Sequence, residues 1–449
     1  MAKRARNIGV AIVGCGTVGG ATAEILLRDN EILVAKTGVN LRLKYIVDRN
    51  FTYARHLQLD DTLFETDLER VLSDASVSIV VELIGGTTAA REITEQALRA
   101  GKHVVTANKA LLAHFGPELL ALAREHGVAL AFEASCGGGI PILRALYDGL
   151  VANEIEALYG IVNGTCNFIL TEMTQKGESY QEALWAAQAK GLAEAVPTLD
   201  VEGIDSAHKI TIMAAMAFGC RVDLEGVPVT GIHDLELDDI RYGERLGYVM
   251  KLLAIATREP EGICIRVRPV FISRDHPLAW VSGPFNAISV YGHTTGHTMY
   301  YGRGAGGSPT ASAVVADIAG VAGGIIPRVF ENYAYWPDRN TNQNMVPVAQ
   351  TSSRYYLRFM LDDTPGALGR IATILGNHGI SIASVHQEEL PDPTAEDSAL
   401  HAVPVVITLH RAREQEVRKA VAEIDALSAT GEKSVLISII DEHSESLTT

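Results

Sequence analysis

Four carboxylates, Glu194, Asp200, Glu202 and Asp205, crowd the stretch from Gly191 to Lys209, and the chain then runs on through Ile210, Ile212, Met213, Met216 and Ala217. Pro197 and Gly203 predict a helix starting near Gly203, which sets Asp205 and Lys209 four apart on one face. Exposed, such a pair only steadies a helix end, with the acid at the positive pole of the dipole. The turns that follow are too apolar for a solvated face. Burial opposes the charge on a lysine and a neighbouring aspartate supports it, and an amine held in that balance is equipped to pass a proton. The stretch alone names no reaction.

A second set of residues suits a dinucleotide. The buried-strand pattern of residues 8–13 leads into Gly14-Cys15-Gly16-Thr17-Val18-Gly19 and then into a helical pattern. This is a G-x-G-x-x-G in strand-turn-helix context, where the glycines let backbone amides approach a pyrophosphate at a helix N-terminus. A strand over 41–47 ends in Asp48-Arg49. The acid suits the ribose hydroxyls of NAD and the arginine the 2′-phosphate of NADP, so both cofactors stay open. Ile84 and Gly85 close another strand, over 77–84, and Lys109 follows the strand over 103–106. Both ends fall where an open parallel sheet collects ligands. A second glycine-rich loop, 302–309, contains Gly306. Ser308 as N-cap and Pro309 at the first helical position predict a helix over 310–322 that brings amides to the cofactor from the far side; a flexible hinge is the competing explanation.

Between these sets lies Glu133-Ala134-Ser135-Cys136-Gly137-Gly138-Gly139-Ile140-Pro141. A carboxylate beside a carbonyl-rich turn suits a hard cation, and composition alone allows a plain turn equally. Cys136 could also serve as the nucleophile of a thiol-dependent aldehyde dehydrogenase, although no base stands near it in the sequence.

The elements that position these groups follow from length and periodicity. A chain of 449 residues exceeds one ordinary domain. Alternating strands and helices predict a doubly wound parallel, Rossmann-type sheet over 1–138. Amphipathic stretches, with strand patterns at 263–270 and 287–291, predict a second α+β domain over 139–330, from which 303–325 return to the nucleotide domain. A polar connection spans 331–353, a βαββαβ ferredoxin-like sandwich 354–440, and an acidic, serine-rich tail, read as disordered, 441–449. The class is α/β.

A net charge of −16 argues against nucleic acid or an anionic membrane as partner. No apolar run reaches membrane-spanning length, and the basic start, Lys3, Arg4 and Arg6, lacks the shape of a secretory signal. The expectation is a soluble cytoplasmic protein. Cys15, Cys136, Cys166, Cys220 and Cys264 are scattered without a C-x-x-C, against structural zinc and a disulfide framework.

Taken together, the motifs resemble the homoserine dehydrogenases of the bacterial monofunctional type with a C-terminal ACT regulatory domain. The resemblance covers nearly the whole chain. It rests on the glycine loop at 14–19, Thr106-Ala107-Asn108-Lys109, Phe132-Glu133-Ala134-Ser135, Val162-Asn163-Gly164-Thr165, the run from Pro197 to Lys209, and the weaker ACT signature from Leu361 to Leu368. It implies reversible hydride transfer between NAD(P)H and L-aspartate 4-semialdehyde, giving L-homoserine, on the route to threonine, methionine and isoleucine. By the same resemblance Glu194 and Asp205 hold the substrate, with Asp200 in the same acidic turn, Lys209 passes the proton, and Lys109 lies by both cofactor and reacting oxygen. Gly191, Glu194 and Gly306 join Gly14, Gly16, Thr17, Val18, Gly19, Asp48, Arg49, Ile84 and Gly85 about the cofactor. A monovalent cation, sodium, is expected on Glu133 and the main-chain oxygens of Cys136, Gly138 and Ile140. An amino-acid effector, threonine in much of the family, is expected at Asp363, Gly366 and Ala367, in a homodimer or homotetramer. The rival outside this class is a catalytically idle amino-acid sensor built from the same Rossmann and ACT modules.

Overall fold

A computed structural model describes residues 5–340, 343–362, 364–387, 402–427 and 433–443. Its first sheet comprises β1 (Arg6–Val13), β2 (Val39–Val47), β3 (Phe64–Glu65), β4 (Val77–Glu82), β5 (His103–Thr106) and β6 (Leu130–Ala131). All neighbours are parallel, in the order β3-β2-β1-β4-β5-β6. Residues 10–13 of β1 and 79–81 of β4 are buried on both faces, which is why they read as unbroken apolar runs. Strand order reverses between β1 and β4, and the crevice beyond their carboxyl ends is the ligand position of such sheets.

The second sheet starts with β7 (Ile155–Ile161), β8 (Tyr248–Glu259), β9 (Gly262–Ser273), β10 (Phe285–Gly292) and β11 (Gly296–Arg303), antiparallel in the order β11-β10-β7-β8-β9. Sequence patterning caught the centres of β9 and β10 alone. Through β8, Leu252, Ala254 and Ala256 pack toward the helices while Leu253 and Ile255 join Tyr159 and Ile161 on the other face. A strand buried on both sides shows no alternation and resembles a buried helix.

The C-terminal module contributes β12 (Ser352–Asp362), β13 (Ile382–Gln387), β14 (Ala402–Arg413) and β15 (Val435–Ile440), with helices Ala367–Asn377 and Glu414–Asp425 between them. The βαββαβ order gives the antiparallel arrangement β15-β12-β14-β13. One feature lay outside the sequence reading: β15 pairs in parallel with β9, Ser438 to Ile440 against Val270 to Ile272, so the two sheets run on as one of nine strands. Side chains reinforce the seam. Buried Asp239 accepts from Tyr356 Oη at 2.8 Å and from Arg358 Nε at 2.7 Å, and Arg268 meets Glu414 at 2.7 and 2.9 Å.

Three local expectations change. The helix after the second glycine loop spans Gly307–Ala322 with Gly306 as N-cap, so Ser308 is not the cap and Pro309 is third in the helix. The first-turn amides have no intrahelical acceptor, so proline costs nothing there. The connection at 331–353 is strapped down: Trp336 is buried, Asp338 grips Arg124 at 2.8 and 3.2 Å, and Asn344 O accepts from Ile263 N. Asp441, assigned to the tail, pairs with Arg354 at 3.2 Å, while residues 444–449 lie outside the described residues.

Candidate active site

Helix Ile204–Phe218 starts at Gly203, whose φ of +82° only glycine adopts without strain. Asp205 stands in its first turn, 4% exposed, and Lys209 follows one turn later, 7% exposed. The two carboxylate oxygens of Asp205 take different amines. Oδ2 accepts from Lys209 Nζ at 2.7 Å, and Oδ1 lies 2.6 Å from Lys109 Nζ. Lys109 opens helix Lys109–Glu125 just past β5, so it belongs to the nucleotide-binding sheet. One buried carboxylate thus joins an ammonium from each half of the molecule.

Burial alone would raise the Asp205 carboxyl, but the two lysines outweigh it and hold the group well below the usual carboxylate range. For Lys109 burial opposes the charge, and Asp205 with Asp200 behind it holds the ammonium above its ordinary value. Asp200 itself is raised, by burial and by Asp205. Lys209 also donates to Val162 O at 2.7 Å, which leaves one of its three donors unspent.

Asn163, one of the residues of the Val162-Asn163-Gly164-Thr165 motif, reads locally as a turn residue followed by a helix cap. Its Oδ1 does cap helix Gly164–Lys176 by accepting from Cys166 N, and its Nδ2 reaches both Asp200 Oδ1 at 2.7 Å and Asp205 Oδ2 at 2.9 Å. Glu82 was missed altogether. Fully buried at the end of β4, it accepts from Ile84 N, Gly85 N and Thr106 Oγ1, tying the ends of β4 and β5 together. An acid where a buried parallel strand should be apolar, just before two glycines, was the available signal. Asn108 Nδ2 to Gly86 O, 2.7 Å, continues this network to the residue before Lys109.

Around the glycine loop, a Cβ on Gly19 would lie 2.0 Å from Gly14 O, whereas nothing stands within 4 Å of one on Gly16. The first glycine therefore serves close helix–strand packing, and the second leaves the open cradle a pyrophosphate needs. Thr17 and Val18 begin the helix there, and Gly307, next to Gly306, packs against Thr17, so two helix N-termini face the same crevice. Asp48 is already engaged: Oδ2 accepts from Cys15 N at 2.7 Å and Oδ1 from Arg49 N and Asn50 N. Arg49 is exposed and makes no ion pair among the described residues.

Other expected residues fall into place less tightly. Gly191, with φ of +68°, ends helix Tyr180–Ala189, and Thr165 Oγ1 anchors the next residue by donating to Leu192 O. Glu194 is exposed on the loop that follows, its carbonyl held by Gln188. Both oxygens of Glu133 accept helix-opening amides, Leu143 N at 2.8 Å and Arg144 N at 2.7 Å, which fixes the carboxylate and leaves each oxygen a further lone pair. Gly366 and Ala367 form the start of helix Ala367–Asn377, while Asp363 lies outside the described residues.

Cys136 can be set aside as a nucleophile. It is fully buried, its Sγ faces Ser135 and Lys209 O, and burial pushes the thiol up to about 12. A thiolate does not form there at neutral pH.

A dinucleotide crevice facing a lysine–carboxylate–lysine group defines a nicotinamide-dependent oxidoreductase. The comparisons with known proteins sharpen this. Residues 14–133 match the family model "Homoserine dehydrogenase, NAD binding domain", 141–319 the model "Homoserine dehydrogenase", and 355–426 the model "ACT domain". A homoserine dehydrogenase of Pseudomonas aeruginosa is 42% identical over 438 residues, 97% of this chain and 99% of that one. The crystal structure of a homoserine dehydrogenase from Thiobacillus denitrificans superposes with a TM-score of 0.90 at 42% identity, covering 97% and 99% of the two chains. A hyperthermophilic archaeal homoserine dehydrogenase in complex with NADPH aligns at 28% identity and a TM-score of 0.59, over 70% of this chain and 97% of that one. The chain belongs to the homoserine dehydrogenase family, as an NAD(P)-dependent oxidoreductase with a C-terminal ACT domain. The idle-sensor reading falls with that assignment.

Proposed function

We propose that the protein interconverts L-aspartate 4-semialdehyde and L-homoserine on the route to threonine, methionine and isoleucine, with Lys209 as proton donor and acceptor. The observation that carries this is Asp205 holding two ammonium groups, one from each domain. A bound nicotinamide supplies or takes the hydride. In the reducing direction negative charge grows on the carbonyl oxygen, and cationic donors preset at that oxygen lower the barrier most where the charge develops. Lys209 keeps one donor for it and Lys109 two. Asp205 aims both amines, and Lys209 then gives up its proton. Glu194 and Asp200 take the substrate's ammonium group.

Gly14, Gly16, Thr17, Val18 and Gly19, with Ile84, Gly85 and Gly306, cradle the cofactor, and Gly191 and Glu194 close its nicotinamide end. NADP is the preferred form, because the Asp48 carboxylate is spent on amides while Arg49 is exposed and has no ion pair among the described residues. A monovalent cation, sodium by the family resemblance, would rest on Glu133 and on main-chain oxygens of Cys136, Gly138 and Ile140. No step depends on it. Residues 1–138 with 303–325 act as the nucleotide unit and 139–330 as the substrate unit. The ACT turn at Gly366 and Ala367 takes an amino acid such as threonine, in a homodimer or homotetramer.

The test is homoserine oxidation with NAD and NADP side by side, with and without threonine, on wild type and Arg49→Ala. Turnover with both proteins is expected, and the variant's kcat/KM ratio for NADP over NAD should fall by about tenfold, the equivalent of ~1.4 kcal/mol. Absence of turnover in wild type refutes the reaction, and an unchanged ratio refutes the role of Arg49.

A further inference from the structure

Arg266, on β9, is 6% exposed, and its one hydrogen bond among the described residues is a weak one to Cys264 Sγ at 3.4 Å. A guanidinium carries five donors and cannot shed its proton. Burying such a charge without a carboxylate is costly, so proteins pair it or supply an anion. Several neighbouring arginines at this seam are paired with carboxylates. Arg268 and Arg418 share Glu414, and Arg358 holds Asp239 and Glu236.

Arg266 lines a cavity of about 230 Å³ where the ends of β8 and β9 meet β12, β14 and β15. At ~30 Å³ per water this holds roughly seven or eight waters, room for a small organic molecule. Its wall is polar and carries both signs: Arg258, Arg266 and Arg411 against Glu259, Asp441 and Glu442, with the hydroxyls of Ser352 and Tyr159. Arg266, Arg411, Glu259 and Asp441 all act on the Tyr159 phenol in this wall. Asp441 is shared between Arg354 at 3.2 Å and Arg411 at 3.9 Å, and Glu259 accepts only from Thr257 Oγ1 among the described residues. A bare anion would leave Glu259 unanswered, and a bare cation would aggravate Arg266.

We propose that this cavity is a binding site for a small α-amino acid, with the carboxylate on Arg266 and Arg411 and the ammonium facing Glu259 and Asp441. It is distinct from the Gly366 turn and does not depend on the reaction assigned to the active site. A ligand here bridges the two parts of the nine-stranded sheet. Its effect can reach the catalytic helix through the next residue, Val267, whose backbone pairs with residues 228 and 230 and whose side chain packs at Gly203.

The test uses the full-length protein, with calorimetry and thermal unfolding against glycine, L-serine and L-threonine, and with acetate and methylammonium as half-ligands. Wild type should bind at least one amino acid and gain Tm on binding, while neither half-ligand does so at the same concentration. Arg266→Met should raise the ligand-free Tm, because a buried uncompensated charge is removed, and weaken binding at least 100-fold; a merely structural arginine would lower Tm instead. Arg411→Ala, at an exposed position, should fold normally and weaken binding about tenfold. Undiminished binding in both variants overturns the proposal. So does a structure of the assembled oligomer in which a partner subunit's carboxylate sits on Arg266.

Discussion

Lys209→Met separates chemistry from architecture at this site. The substitution removes the ammonium but keeps most of the side chain's bulk in a pocket where it is 7% exposed. Losing one partner of a buried pair usually costs about 3–5 kcal/mol, because the other charge is left stranded. Asp205 is not stranded here. Lys109 remains 2.6 Å from Oδ1 and Asn163 still donates to Oδ2 at 2.9 Å. The stability loss should therefore fall below that range, and the variant should fold. A general acid–base group is worth about 10²–10⁴ in rate, or roughly 3–5 kcal/mol of barrier. Steady-state homoserine oxidation followed by nicotinamide absorbance should show kcat reduced by at least about 100-fold, with cofactor affinity, measured by fluorescence, within about twofold of wild type. Near-normal kcat would remove Lys209 from the proton transfer. Equal losses in kcat and cofactor affinity would make it a strut between domains rather than a catalyst.

Three further perturbations probe the surroundings. Glu133 is pushed up to about 7 and Asp317 to about 6, both mainly by burial, so the folded state binds protons the unfolded chain has released; the contribution of these two groups to stability is greatest at acid pH and is lost as pH rises through about 4 to 7, and Glu133→Gln should take its share of that loss out of the slope of Tm measured from pH 5 to 8. Gly19→Ala puts a Cβ 2.0 Å from Gly14 O, so cofactor affinity should drop more than tenfold and stability by about 1–3 kcal/mol, read by titration and urea unfolding. Asp239→Asn leaves Arg358 buried with Glu236 alone and should cost about 3–5 kcal/mol, seen in urea unfolding; an unchanged transition would show that the seam does not depend on this ion pair.

What the sequence disclosed follows from the range of the interactions involved. The glycine loop, the Asp205–Lys209 spacing and the βαββαβ order are local patterns, and each is found where its periodicity predicted. Lys109 was visible only as a lysine at a strand end, since its meeting with Asp205 joins positions 96 residues apart in the chain (205 − 109). Asn163 looked like turn chemistry because its capping oxygen is local, whereas its amide serves partners about forty residues away. β7, β8 and β11 were lost to the absence of alternation or to polar outer faces. The parallel pairing of β15 with β9 had no sequence signature, because backbone pairing between distant edges leaves side-chain types free.

The same long-range character explains why the site is built around a carboxylate rather than around either lysine. Two ammonium groups brought into one partly desolvated crevice repel each other. A single carboxylate between them removes the conflict while adding only one buried charge. Because its two amines come from different domains, the arrangement exists only when the nucleotide sheet and the catalytic helix are correctly docked. Asn163 fixes the carboxylate's position from a third element, helix Gly164–Lys176, and Glu82 fixes the end of β5 from which Lys109 starts. Under the proposed mechanism, proton transfer and domain registration therefore rest on the same three side chains, Asp205, Lys109 and Lys209, and the start of the helix that carries Asp205 packs at Gly203 against Val267 of β9.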